Sequence, residues 1–307
     1  MTSFQFIRRT ILFLILFFAA DYLISLVLFK DLNSTFNLDH HPEILINGSS
    51  MSGSGFNTWE IEERTSMPIA AYIREGVSVV DRNAMIEHFF HLYPEGIHTV
   101  IYEVNPVLLS GIKTAANVYT HFYPFMDDRT MDRYVRERAT PREYYIHKLI
   151  RTTRFESRSF IGFVSGLIGF TRNIKTNTLD EGTLRPLMAE KGQEEVIIND
   201  ANRKVFEESM KTILSHHANV ILVMMPMHVI KLQTFDEEGY RKLTDYYTAF
   251  ALSRDSIEFL DLNRDSMIYD ARNFSDPLHF NANGQQKITD IISDYINKNQ
   301  VLGKEGL

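Results

Sequence analysis

The sequence predicts an α/β protein: a mostly parallel sheet with helices on both faces, set behind one N-terminal membrane-spanning helix. Three observations predict it. Short apolar or β-branched runs alternate with segments of helical period, and each run stops at a Gly, Asn or Pro turn signal. One apolar stretch near the start is far longer than a core element needs to be. Strand followed by helix followed by strand is the order that right-handed crossovers build into a parallel sheet.

The long stretch is Ile11 to Phe29, ILFLILFFAADYLISLVLF, with Asp21 as its single formal charge. Nineteen residues at about 1.5 Å each approach the ~30 Å of bilayer hydrocarbon, so the segment is expected to span as a helix. Arg8 and Arg9 precede it, which puts the N-terminus in the cytoplasm and everything after Lys30 outside. A cleaved signal peptide is the rival reading. The run is longer than a usual signal core and exits through FKDLNSTF without a small-x-small site, so an uncleaved anchor is expected. Asp21 reads either as a protonated or snorkelling acid or as a polar contact to a neighbouring membrane protein.

After a polar linker, Asp31 to Pro42, each element has a local reason. Glu43 to Asn47 (EILIN) is a buried strand stopped by Gly48-Ser49-Ser50. Phe56 to Arg64 reads as a helix, and Met67 to Ile73 as a strand ending in Arg74-Glu75-Gly76. Asp81 to Leu92 has helical spacing behind Asp81 as N-cap. His98 to Val104 (HTVIYEV) is β-branched and aromatic, as a central strand should be, and Asn105-Pro106 closes it.

From Val107 to about Gly192 the pattern loosens into aromatic, Arg-rich helical segments, read as an insertion or lid. Its cations between Arg129 and Arg158 are interleaved with Asp and Glu, as on a solvated helix face. Ser159 to Phe170 (SFIGFVSGLIGF) is too short for an ordinary span and reads as a hairpin, a lid or a membrane-surface contact. Alternation then resumes with helix Asp200 to His217, strand Asn219 to Met225, helix Glu237 to Leu252, strand Ile257 to Leu262 and a helix from Asn283 to Ile296.

Composition narrows the function classes. The 307 residues are 44% hydrophobic and 23% charged, ordinary for a globular chain and unlike a disordered or multi-span one. Zero cysteines excludes a disulfide scaffold, an iron–sulfur site, a thiolate zinc site and a cysteine nucleophile. The formal charge of −7 argues against nucleic acid. Without the anchor, whose Arg8, Arg9 and Lys30 outweigh Asp21, residues 31–307 carry a net −9. No cofactor or metal is expected: the pairs His40-His41 and His216-His217 and the separate His88 and His91 have no accompanying carboxylate cluster, and adjacent His point in different directions.

In a parallel sheet, ligands bind beyond the carboxyl ends of the strands. Those ends carry Gly48-Ser49-Ser50, Gly76, Asn105, Pro226-Met227-His228 and the turn Asp276-Pro277-Leu278-His279. Acyl transfer needs a hydroxyl on a sharp turn, an imidazole, a carboxylate behind it and N–H donors for the oxyanion, and all of these residue types are present.

With these residues the sequence resembles the SGNH, or GDSL-like, hydrolases. Gly48-Ser49-Ser50 looks like the first motif of that family, Gly76 like the Gly of the second, Asn105 like the Asn of the third and Asp276-x-x-His279 like the last, followed by Asn281-x-x-Gly284. The likeness covers about residues 43–110 and 199–298. Ser49 stands where the family has Asp, and no Asp follows Asn105.

The resemblance implies a flavodoxin-like three-layer sandwich with a five-stranded sheet. It implies Ser50, His279 and Asp276 as nucleophile, base and orienting acid, and Gly76 and Asn105 with the Ser50 N–H as oxyanion donors. Ser49 and Ser52 are the other hydroxyls of the turn, and His228 is read as a pocket wall. Among membrane-anchored members the chain is similar to DltD-type D-alanyl transfer proteins and to alginate O-acetylation proteins. That similarity implies an esterase or O-acyltransferase of a cell-surface polymer, with a multi-pass membrane acyltransferase as partner. The other expectations are a non-catalytic glycan-binding or scaffold module and, from Ser159 to Phe170, a lipid esterase.

Overall fold

The computed structural model describes residues 3–38, 41–111, 117–155, 175–190 and 192–304. Ser159 to Phe170 and His40 therefore lie outside the described residues. The chain divides into two compact units, residues 1–39 with 116–172 and residues 40–115 with 173–307.

The larger unit holds a parallel sheet of β1 (Ile44–Gly48), β2 (Ile69–Ile73), β3 (Thr99–Val104), β4 (Asn219–Met224) and β5 (Ile257–Asp261), in the order β2-β1-β3-β4-β5. The order reverses between β1 and β3, the switch point at which doubly wound sheets open a crevice. Every residue of β1 and β3 is buried, which is why these strands read as apolar runs without alternation.

The helices that connect the strands form two layers. One layer packs α4 (Val79–Leu92) against α8 (Asp200–Ser215), and the other packs α2 (Ser50–Gly55) and α3 (Thr58–Thr65) against α11 (Ala282–Lys304). Between β4 and β5 lie α9 (Val229–Leu232) and α10 (Glu237–Leu252), and α7 (Glu181–Glu190) precedes α8. The core is filled by residues such as Ile46, Phe89, Tyr102, Phe206, Leu222 and Ile292, none above 1% exposed, each worth about 1.5–3 kcal/mol for a large aliphatic or aromatic side chain.

Arg82 is also buried here. Its guanidinium donates to Asn47 Oδ1 (2.9 Å), the Asn47 carbonyl (2.7 Å) and the Glu103 carbonyl (2.5 Å), and lies 3.8 Å over the Tyr102 ring. Those acceptors satisfy a cation that could not otherwise be buried.

Most boundaries fall within two residues of expectation, and three features differ from the reading. Helix α4 starts at Val79 because Ser78 is its N-cap. Asp81 sits in the first turn and closes a capping box with Ser78. A helix begins at Ser50, where the sequence suggested only a turn. Helix α11 continues to Lys304, well past Ile296.

The other unit is built on α1 (Ser3–Thr35), which is long and apolar enough to cross a membrane. The helix continues into the expected linker as far as Thr35, with Leu32 buried on it and Phe36 and Leu38 buried just beyond its end. Residues 117–155 of the same unit form a 3₁₀ helix (Val118–Phe125), α5 (Arg129–Arg136), α6 (Pro141–Leu149) and a 3₁₀ turn (Arg151–Arg154). Asp21, Ser25, Leu28 and Leu32, spaced four, three and four apart, make one buried stripe on α1. Phe125 meets Phe29 edge-on.

Asp21 does not need a second protein. Its carboxylate accepts the N–H groups of Arg151 (2.8 Å) and Thr152 (2.9 Å) and the Thr152 hydroxyl (2.6 Å). The expected solvated face of the insertion is partly a network: Asp132 binds Lys148 (2.6 Å), Arg136 (2.9 Å) and the Tyr144 hydroxyl (2.9 Å).

Candidate active site

Strand β1 ends at Gly48, and Ser49 turns the chain into α2 with its side chain as N-cap. Ser50 is therefore presented at the C-terminal rim of the sheet, beside the switch point. Its hydroxyl lies 2.9 Å from His279 Nε2. On the other side of the ring, His279 Nδ1 is 2.9 Å from both Asp276 oxygens. Since a carboxylate can only accept, Nδ1 carries the proton and Nε2 is the acceptor of the Ser50 O–H.

Asp276 and His279 share one turn. Asp276 Oδ1 accepts the N–H groups of Leu278 (3.0 Å) and His279 (2.9 Å), and the His279 carbonyl accepts the Ser275 N–H (2.8 Å). The turn is fastened to the end of β4 by the His228 N–H, which donates to the Pro277 carbonyl (3.0 Å).

Partial burial pushes the Asp276 carboxyl up, but the His279 ring and the two backbone N–H groups outweigh it and hold the group well below the ordinary carboxylate range. Lys175, 3.5 Å from Asp276 Oδ2, is the one other side chain bonded to that carboxylate among the described residues. Gly284 comes so close to the Asn273 carbonyl that a Cβ would stand 2.0 Å from it, which is why the helix after the turn begins on a glycine-containing sequence.

Backbone donors around Ser50 can be counted. Of the first four N–H groups of α2, that of Met51 reaches Ser49 Oγ (3.4 Å), that of Ser52 a Glu103 oxygen (3.1 Å) and that of Gly53 the Ser49 carbonyl (3.1 Å). The Ser50 N–H has no acceptor among the described residues.

Gly76 occupies the turn after β2 with φ of +70°, a conformation that favours glycine, and is exposed. That turn follows the strand hydrogen-bonded beside β1, with the Arg74 N–H donating to the Gly48 carbonyl (3.2 Å). Asn105 ends β3 with its side-chain oxygen accepting the Val107 N–H (3.0 Å) and its amide nitrogen donating to Glu103 Oε1 (3.2 Å). An amide nitrogen carries two hydrogens, so one is left to donate.

The other hydroxyls are engaged. Ser52 is fully buried, and both it and Ser49 donate to Glu103, at 2.5 and 2.6 Å. Neither is placed on His279.

His228 is not at an open pocket wall. It is 0% exposed, its Nδ1 accepts the Ile230 N–H (3.4 Å) as the N-cap of α9, and its Nε2 lies 3.4 Å from Glu181 Oε1 without hydrogen-bond geometry. Burial lowers its pKa against the opposing pull of Glu181. A depression of about 350 Å³ lies nearby on α7, lined by Glu181, Gly182, Arg185 and Pro186, none of which belongs to the Ser50–His279–Asp276 group.

Glu103 is the residue that sequence reasoning missed. Its signal was a carboxylate inside an otherwise apolar strand, since such a group is almost never buried without partners. No protein-family model matches the chain, and no curated protein matches it.

Proposed function

We propose that the chain is a membrane-anchored serine esterase or O-acyltransferase of the SGNH (GDSL-like) type. In this reading it acts outside the cytoplasm on ester-linked acyl groups of a cell-surface polysaccharide or other envelope polymer. The observation that carries the reading is the unbroken hydrogen-bonded series Asp276, His279, Ser50 on the C-terminal rim of a parallel sheet.

The chemistry follows from that series. His279 Nε2 takes the hydroxyl proton as Ser50 Oγ attacks the carbonyl carbon, and ionised Asp276 steadies the resulting imidazolium. The oxyanion is met by the Ser50 N–H, with the Gly76 N–H and the spare Asn105 amide hydrogen as the other donors, each worth about 2.7–4 kcal/mol when aligned. Collapse breaks the ester C–O bond, and the leaving alkoxide takes the proton back from His279. Water or a polymer hydroxyl then attacks the acyl-serine, gives its proton to His279 and releases Ser50 with that proton.

Helix α1 supports the anchored part of the reading, and Arg8 and Arg9 support a cytoplasmic N-terminus. If the reaction is transfer, a multi-pass membrane acyltransferase would supply the acyl donor.

The test is labelling of the full chain in detergent with a serine-reactive fluorophosphonate. Ser50 is expected to be modified, and Ser50→Ala and His279→Ala to abolish the signal. A folded native chain that never labels would sink the proposal. Surface-polymer acylation that persists in cells carrying Ser50→Ala would favour a binding module instead.

A further inference from the structure

Beneath the nucleophile turn lies a carboxylate that the reaction itself does not use. Glu103 is on the central strand, between β1 and β4, and is 0% exposed. Its Oε2 accepts the Ser49 N–H (2.8 Å), the Ser52 N–H (3.1 Å) and the Ser52 hydroxyl (2.5 Å). Its Oε1 accepts the Ser49 hydroxyl (2.6 Å) and the Asn105 amide (3.2 Å). Residues on either side of Ser50 are thus tied to one rigidly mounted group. The backbone under that group is fixed as well, because Arg82 joins the Glu103 carbonyl on β3 to Asn47 on β1.

We propose that Glu103 is the positioning residue of the nucleophile turn. By taking the N–H groups of Ser49 and Ser52 it sets the place of Ser50 Oγ and leaves the Ser50 N–H for the oxyanion. The assignment rests on the acyl-transfer reading above.

Two neighbouring residue choices follow from it. Gly48 leaves room for the bond: a Cβ there would stand 2.1 Å from Ser52 Oγ and 2.9 Å from Glu103 Oε2. Ser49 must donate to Glu103 while accepting from the Met51 N–H, which a hydroxyl can do and a carboxylate cannot. An Asp at position 49 would set two carboxylates against each other at hydrogen-bond distance.

The experiment measures the rate of fluorophosphonate labelling and of 4-nitrophenyl acetate hydrolysis by the full chain in detergent. Glu103→Gln is expected to slow both by about 10- to 100-fold, the range for a small misplacement of a reacting group. The pH midpoint of the rate should stay that of the native chain, because the His279–Asp276 pair is untouched. Ser49→Asp should slow labelling by about 100-fold or more. Adding Glu103→Gln to Ser49→Asp should recover about ten-fold, since an amide can donate to the new carboxylate. A merely structural role would not give that recovery.

Native-like rates in Glu103→Gln, or no recovery in the double variant, overturn the assignment alone. Should Glu103→Gln fail to fold, Ser49→Ala and Ser52→Ala carry the test: each is expected to slow labelling by about 3- to 10-fold, and native rates in both overturn it. A native chain that never labels overturns the acyl-transfer reading and this assignment with it.

Discussion

Glu103 and Asp21 solve one problem in two parts of the molecule. Each is a carboxylate in an apolar element, and each is satisfied by backbone N–H groups and a Ser or Thr hydroxyl from a turn far away in sequence. The supports differ. Glu103 stands in the middle of a five-stranded sheet, hydrogen-bonded on both sides, so what it fixes is fixed relative to the whole core. Asp21 stands on a single helix, so what it fixes is the docking of residues 151–152 on that helix. The same bonding therefore serves atomic placement in one unit and assembly in the other, and the mounting of the acid decides which.

Asp276 is the yardstick for that contrast, a third carboxylate that in the proposed reading acts on the chemistry directly. Asp276→Asn is expected to lower the turnover of 4-nitrophenyl acetate by about 10⁴-fold, because the amide favours the wrong tautomer of His279. Its pH signature is also distinct. The carboxyl is held below its ordinary 3.8 in the folded chain, so its contribution to stability is fully present above about that pH and is lost as the pH falls below it. The stability gap between native and Asp276→Asn protein should therefore narrow on acidification from pH 6 to pH 3, measured by denaturant unfolding. A gap independent of pH would contradict the bonding described.

The next effect belongs to the Glu103 side. Gly48→Ala should push Ser52 off the carboxylate, costing about 1–3 kcal/mol of stability and slowing Ser50 labelling. If stability falls while the labelling rate is native, Ser52 is not needed to place Ser50.

The smallest effect on turnover should come from Asp21→Ala, within about two-fold of native. Its signature is local: faster hydrogen exchange at the N–H groups of Arg151 and Thr152, which lose their acceptor. A large loss of turnover would erase the distinction between the two acids.

The sequence made the sheet legible because its strands are short β-branched runs with clear stops, and α10 lies at Glu237–Leu252 as its period indicates. Ser50, Asp276 and His279 were legible as types at strand ends, and only the family resemblance, not composition or spacing, grouped them as nucleophile, acid and base. What was hidden depends on tertiary partners. The helix from Ser50 to Gly55, SMSGSG, has poor intrinsic propensity and is held by Glu103 and Ser49. Asp21 allowed two readings because its partners lie about 130 residues away. Asp81 and Ser78 are both good caps, and only the backbone geometry distinguishes cap from third residue.

Gly48 also has a consequence for how such sequences diverge. Its φ is not in the left-handed region, so what forbids a side chain there is the space taken by Ser52 and Glu103 rather than the turn itself. In homologues, positions 48 and 52 should therefore change together, because a Cβ at 48 would stand 2.1 Å from Ser52 Oγ and 2.5 Å from Ser52 Cβ, nearer than the 2.9 Å to Glu103 Oε2. A lineage that keeps both the serine at 52 and the glutamate at 103 should never carry alanine at position 48.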